Sequence, residues 1–364
     1  MSTHAKTAKR SWRRVRTLIA ALAIGGPAAW AQPTTYTVSA ITMPSGTTFA
    51  VAKAINASGQ VTGLYVDSSG LEHAFLWSGG TRTDIPALPG YLGMSGAGIS
   101  TAGVVVGGAF TGASGGFSVA FKFEGGQVIE LPRLGNGRYS GAYAISPGGT
   151  ITGYSYSFGA NGQSGYRGFV LNGSTLTALP HWVSRGNAND GEAVNDAGIV
   201  VGSTSTDSGF FHPALFDPVE GPLDLGTLGG LYGIAQGVNS SAQVVGYSET
   251  GVPPADSAGY LTNHAFLWDR GVMTDLGVLP GMPESYARAI NDAGVIVGNG
   301  AARDNSAIRA FVWHTGTMSD LNVLIPSGTG WTLQSAYAIN AAGQIVGRGT
   351  LNGASTPFVL TPAP

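Results

Sequence analysis

Cysteine is absent from the 364 residues, so no disulfide staples this chain and no thiolate serves it as nucleophile or metal ligand. Charge is scarce too. Asp, Glu, Lys and Arg make up only 10% of the sequence, which argues against charged amphipathic helices. No H-E-x-x-H motif and no EF-hand spacing occurs, so the sequence predicts neither a metal site nor a bound cofactor. The apolar run at residues 18–24 falls far short of the roughly 20 residues that span a bilayer.

Positive charge is missing from most of the chain because it is concentrated at one end. Lys6, Lys9, Arg10, Arg13, Arg14 and Arg16 account for six of the 18 basic residues, whereas none of the 20 acidic ones precedes Gln32. A basic stretch, a short apolar run and the A-x-A site Ala29-Trp30-Ala31 together predict a secretory signal peptide over 1–31, cleaved near Ala31. Residues 32–364 then carry twelve cations against 20 anions, a net charge of −8, and the basic footprint of a nucleic-acid-binding protein is excluded. A secreted or periplasmic bacterial protein with no membrane span after signal removal is expected.

What the sequence has in abundance is glycine, 58 residues of it, and repetition. One phrase recurs seven times: small residues, an aliphatic, Asn or Ser, a tight turn, a Val/Ile run closing on Gly, then an aromatic strand. Its Asn/Ser landmark falls at Asn56, Ser100, Ser146, Asn195, Asn239, Asn291 and Asn340, a period of about 47 residues that marks an array of like supersecondary units. Asn and Ser start tight turns through their own backbone, and Gly supplies the positive φ that ends them. The turn Gly is replaced once, by Ala242, while the Gly closing the second strand is kept in all seven copies, from Gly63 to Gly347. The third-strand aromatic is broken once, at Ala214, where Phe211 and Phe216 are candidates to compensate.

Each unit reads as two hairpins, hence four antiparallel strands. The last unit lacks a fourth strand, and residues 34–44 resemble one. The expected fold is therefore all-β, a seven-bladed β-propeller of four-stranded blades whose N-terminal strand completes the last blade. Residues 32–364 form one domain, with repeats starting near 50, 95, 141, 190, 233, 285 and 335.

The third-strand phrase His-Ala-Phe-Leu-Trp at 73–77 and 264–268, with Asp-Leu-Gly-Thr-Leu-Gly-Gly at 224–230 and the Ile-Asn-x-x-Gly turns, resembles the HAF-repeat family of predicted bacterial extracellular proteins. The resemblance spans about 36–360. It implies export and a repeat array, and it supplies no catalytic residue to carry over.

Two apparent sites are explained by structure instead. His73, His212 and His264 start equivalent strands in different blades and would be spread round a ring, too far apart to share a metal. Gly112-Ala113-Ser114-Gly115-Gly116 matches G-x-S-x-G, but in a Gly-rich loop rather than the strand–turn–helix setting that motif requires. A binding surface is the better expectation. The connection between second and third strands varies in length, marking one face as the recognition face. Within the inner-strand phrase one position refuses to repeat, reading Lys53, Ala97, Tyr143, Glu192, Gln236, Arg288 and Tyr337, and it is expected near the start of each inner strand, ringing the channel mouth. Lys53, Tyr143, Glu192, Gln236, Arg288 and Tyr337, with His181 and Trp182 from a neighbouring loop, are the candidate ligand-binding residues. Tyrosines and tryptophans beside amides and carboxylates suit sugar rings. The expected function is a non-enzymatic module binding a glycan, peptide or surface partner. The alternative is an extracellular polysaccharide lyase or hydrolase working at the channel mouth.

Overall fold

The computed structural model describes residues 35–112, 118–135, 137, 139–158, 164–180, 188–251, 253 and 261–363. Strands rich in Val, Ile, Thr and aromatics, separated by Gly-bearing turns, pair as the repeat dictates. They form seven four-stranded antiparallel sheets, six of them built from four consecutive strands. The sixth is representative: Glu284–Ile290, Ile296–Ala301, Ile308–His314 and Thr317–Asp320. In the seventh, Trp331–Ile339, Ile345–Leu351 and Ala354–Pro362 are completed by Tyr36–Ala40, with Tyr36 opposite Pro362 and Ala40 opposite Phe358. The first strand of each sheet packs against the first strands of both neighbouring sheets, and the seventh meets the first. The chain is a closed seven-bladed propeller.

The core lies between the blades rather than in one centre. Seven clusters of buried apolar side chains occur among the described residues, one at each joint. The joint of blades 5 and 6, for instance, brings Val245, Ala265 and Leu276 against Ala287, Ile296 and Phe311. Phe75, Phe121, Phe169, Phe266, Phe311 and Phe358 are all fully buried, and each such ring contributes about 2–3 kcal/mol by leaving water. Blade 4 departs from the pattern at Ala214, and there Phe216, 2% exposed, supplies the aromatic two residues on.

The glycine kept in all seven second strands has a steric cause. Each inner strand carries a β-bulge at the non-repeating position, between Ala52 and Ala54 in blade 1 and between Ala287 and Ala289 in blade 6, with the same irregularity in the other five. The bulge throws a backbone carbonyl against the second strand. A Cβ on Gly63 would stand 2.0 Å from the Val51 carbonyl oxygen, and one on Gly298 would stand 2.0 Å from that of Tyr286. Glycine is the residue that fits, and the third-strand Phe lies across it, as Phe311 does opposite Gly298.

The landmark asparagines do two jobs. Asn291 Oδ1 accepts from the backbone N–H groups of Ala293 and Val295 at 3.1 and 3.0 Å, closing its own turn. Its Nδ2 donates to the Asn340 carbonyl of the next blade at 3.2 Å. Equivalent bonds link Asn56 to Ser100, Asn195 to Asn239, Asn239 to Asn291 and Asn340 to Asn56. Ser100 and Ser146 keep the turn-closing acceptor, receiving the N–H groups of Val104 and Thr150, but have no amide to extend. At their joints a backbone bond from Thr101 to Pro147 and a bond from Gly148 to the Asp196 carboxylate span the gap instead.

Candidate functional site

The non-repeating position is the bulged residue itself. An extra residue in one strand leaves its partner's ladder unpaired at that point and re-aims the side chain, which explains why chemistry varies here while the flanking residues stay small. The position does not lie near the start of the inner strand, as the repeat phrase suggests. Lys53 is fifth of seven residues in Phe49–Ile55, and Arg288 fifth of seven in Glu284–Ile290. The reason is that the strands begin several residues before the phrase does, so these side chains sit past the midpoint of the inner strands, away from the rim.

Three of the candidates from consecutive blades meet. A terminal nitrogen of Arg288 donates to Gln236 Oε1 at 2.8 Å, and its Nε donates to Asn299 Oδ1 at 3.4 Å. The guanidinium lies 5.8 Å from the Tyr286 ring centre and 5.9 Å from that of Tyr337, within cation–π range of both. Lys53 stands apart from this group, its Nζ donating to Ser95 Oγ of blade 2 at 3.2 Å. Burial pushes the Lys53 ammonium down from its ordinary value, and Glu72 opposes the shift. His181 and Trp182 lie outside the described residues.

Glu192 is strongly perturbed. Burial, with Asp190 on the same strand acting in the same direction and Arg288 opposing, raises its carboxyl to about 8. Asp190 is likewise pushed up by burial, although its Oδ1 accepts from both the backbone N–H and the hydroxyl of Ser203 at 2.8 and 2.9 Å. No described residue donates a hydrogen bond to the Glu192 carboxyl. Tyr143, in the adjacent blade, is 39% exposed as a residue, and desolvation of its phenol, followed by the charge of Glu192, pushes its ionisation to higher pH.

Tyr143 ends a continuous run of phenol rings in blade 3. Tyr139 meets Tyr156 edge-on at 5.9 Å, Tyr156 meets Tyr166 at 5.2 Å, Tyr166 meets Tyr154 at 5.4 Å, and Tyr154 leans on Tyr143 at 5.3 Å. Tyr166 is 51% exposed. A glycine makes room for this run: a Cβ on Gly141 would stand 2.6 Å from the Tyr154 ring. A shorter run, Tyr232, Tyr247 and Tyr286, crosses blades 5 and 6 and ends beside Arg288. Phenols reach sugar rings with an apolar face and a hydrogen-bonding edge. Trp331, by contrast, packs edge-on against Phe358 at 6.2 Å and belongs to the core.

Asp190, Tyr232 and Asn299 were not among the sequence-based candidates. The alternation of a strand places Asp190 on the side of Glu192, two residues away, and that periodicity was the available signal. The histidines are accounted for: His264 bonds Asp275 at 2.8 Å, His212 bonds Asp224 at 3.1 Å, and His73 bonds Asp67 at 2.9 Å. Where Arg309 replaces the histidine it pairs with Asp320 at 3.5 Å. Among the described residues no group of three His, Asp or Glu side chains is placed to hold a metal. Residues 113–117, which include most of the G-x-S-x-G match, lie outside the described residues.

No family model matches the chain, and no curated protein matches it in sequence. Solved structures do. The chain is similar to the β-propeller domain of the trilobed protease from Pyrococcus furiosus, at 10% identity and a TM-score of 0.52 over 86% of this chain and 94% of that one. It is also similar to the acylaminoacyl peptidase of Pyrococcus horikoshii, at 10% identity and a TM-score of 0.51, covering 84% of this chain and 50% of the peptidase. The likeness is one of fold. The two propellers differ at the seam: the Pyrococcus furiosus domain is described as having an open velcro topology, whereas here Tyr36–Ala40 closes the ring on Ala354–Pro362. Among the described residues no helix is long and apolar enough to cross a membrane.

Proposed function

We propose that this chain is an exported propeller of the HAF-repeat type that acts as a binding module without catalysis, taking a glycan along the tyrosine run of blade 3 and into the channel at Tyr143. The observation that carries this reading is that run, five phenols in ring contact from Tyr139 to Tyr143, with Tyr166 and Tyr143 open to solvent. Exposed aromatic surface of this extent is the usual currency of sugar recognition sites. The channel residues favour binding over chemistry. A lyase or hydrolase needs its acid, base and charge stabiliser to converge on one open point, whereas Arg288 is held by Gln236 and Asn299 and lies beside Tyr337.

Binding of the purified protein to a glycan array tests the reading, with Tyr143→Ala and Tyr166→Ala alongside. Each truncation removes one ring and is expected to weaken a bound glycan by roughly tenfold, about 1.4 kcal/mol. Equal binding by wild type and both variants, or depolymerisation of the bound glycan, would overturn it.

A further inference from the structure

The cations of this protein divide by location. Arg82, Lys122, Arg133, Arg270 and Arg309 each lie beside a carboxylate. Arg288 does not. Its hydrogen bonds go to two neutral amides, Gln236 and the buried Asn299, and its flanks are the rings of Tyr286 and Tyr337. Those contacts use two of the five N–H donors of a guanidinium and hold its plane in place, leaving three donors and an uncompensated positive charge. Glu192 is the carboxyl whose field Arg288 feels, and burial keeps that group protonated up to about 8, so at neutral pH it offers a hydrogen-bond donor rather than a counter-charge.

We infer that Arg288 is an anion receptor and that the ligand is a glycan bearing carboxylates, a uronic-acid polymer or oligomer. The inference rests on the glycan-binding reading and sharpens it. A planar guanidinium pre-oriented by amides matches a carboxylate with two parallel N–H···O bonds. Tyr286 and Tyr337, whose rings flank the guanidinium, border the ground on which the sugar ring carrying that carboxylate would lie. A neutral sugar would leave the guanidinium buried against it without an anion, a cost that selects against neutral glycans. The Glu192 carboxyl, while protonated, can donate to a carboxylate as well.

The test is calorimetry of the purified protein with tetrasaccharides of galacturonate, mannuronate and glucuronate, the methyl ester of each, and a neutral galactan tetrasaccharide. At least one uronate is expected to bind, its ester at least tenfold more weakly. Arg288→Gln should reduce acid binding at least tenfold and, by removing the uncompensated cation, leave ester binding no weaker than in the wild type, so that the acid-to-ester preference collapses. Arg288→Lys, which keeps charge but loses the fork, should fall between them. Near-wild-type melting temperatures for both variants would show that folding is intact, and the acid-to-ester ratio within the wild type reads the same preference without any substitution. Equal binding of acid and ester, or of wild type and Arg288→Gln, would overturn the inference while leaving glycan binding in place. Binding of a glutamate-rich peptide with no uronate bound would overturn it too, and a protein that binds no glycan would lose both readings.

Discussion

The side-chain amide of Asn340 donates to the backbone carbonyl of Asn56 at 3.1 Å, across 284 residues of sequence. It is the link at the seam in a belt of like bonds, and the same Asn340 also receives the N–H of Gln344 at 3.0 Å through its Oδ1. Asn340→Ala removes both functions from a buried site and leaves the Asn56 carbonyl short of a donor. A loss of about 1–3 kcal/mol is expected in urea denaturation. Asn340→Ser reproduces what Ser100 and Ser146 do naturally, retaining the turn and losing the inter-blade bond, and should cost less than alanine. A serine variant as unstable as the alanine one would show that the belt matters more than the turn.

Glycine at the second-strand position is required by the bulge opposite. Gly298→Ala would place a methyl 2.0 Å from the Tyr286 oxygen and 2.8 Å from the Phe311 ring, and neither backbone nor core can retreat without opening the joint. A cost of more than about 3 kcal/mol, or failure to fold, is expected. Gly125→Ala is the comparison, since its φ of +58° is strained for alanine but nothing lies within 4 Å, and about 1 kcal/mol should be lost there.

Tyr36 is 1% exposed, and its hydroxyl has no described hydrogen-bond partner. Its ring packs with Leu333 and Phe358 in the joint of blades 6 and 7. Tyr36→Phe keeps the ring and deletes the unpaired group, so stability should be unchanged or rise by up to about 1 kcal/mol. A clear loss in thermal melting would mean that the hydroxyl is satisfied in solution.

Glu192 should make stability depend on pH. Its carboxyl is raised to about 8 when folded against 4.5 for a free glutamate side chain, so between those values the folded chain holds a proton that the unfolded chain has released. Stability therefore falls as pH rises from about 4.5 to 8. Because Glu192 is half-buried rather than fully enclosed, the difference recovered by Glu192→Gln at pH 8.5 is on the order of 2 kcal/mol. Parallel melting curves of wild type and Glu192→Gln from pH 5 to 9 would refute the assignment. The groups facing Glu192 are Asp190, Tyr143, Tyr232 and Arg288, and Asp190 shares its direction of shift.

The propeller was legible because its determinants are local and repeated seven times: the Asn turns, the second-strand Gly and the aromatic third strand each act within one hairpin. Even the closing strand showed, through its likeness to other fourth strands. The site was legible only in part. Varying letters at Lys53, Tyr143, Glu192, Gln236, Arg288 and Tyr337 set one position of the repeat apart, yet the bulge at that position depends on pairing register, which a sequence does not display. The contact between Arg288 and Gln236 joins equivalent positions 52 residues apart, and repetition makes every such neighbour look alike. Asp190 stands two places before the varying position and outside the three-residue phrase Gly191-Glu192-Ala193 that marks it.

Closure by Tyr36–Ala40 also sets an order of events. The first strand of the propeller to be synthesised has its partner in the last, so its own backbone groups stay unsatisfied until Ala354–Pro362 has been made. Six blades can form as local hairpins during that interval, but the ring has no lock. Folding speed and vulnerability to misassembly should therefore be governed by a single late docking step. Delay of that step, more than damage to any one blade, is where this protein would aggregate.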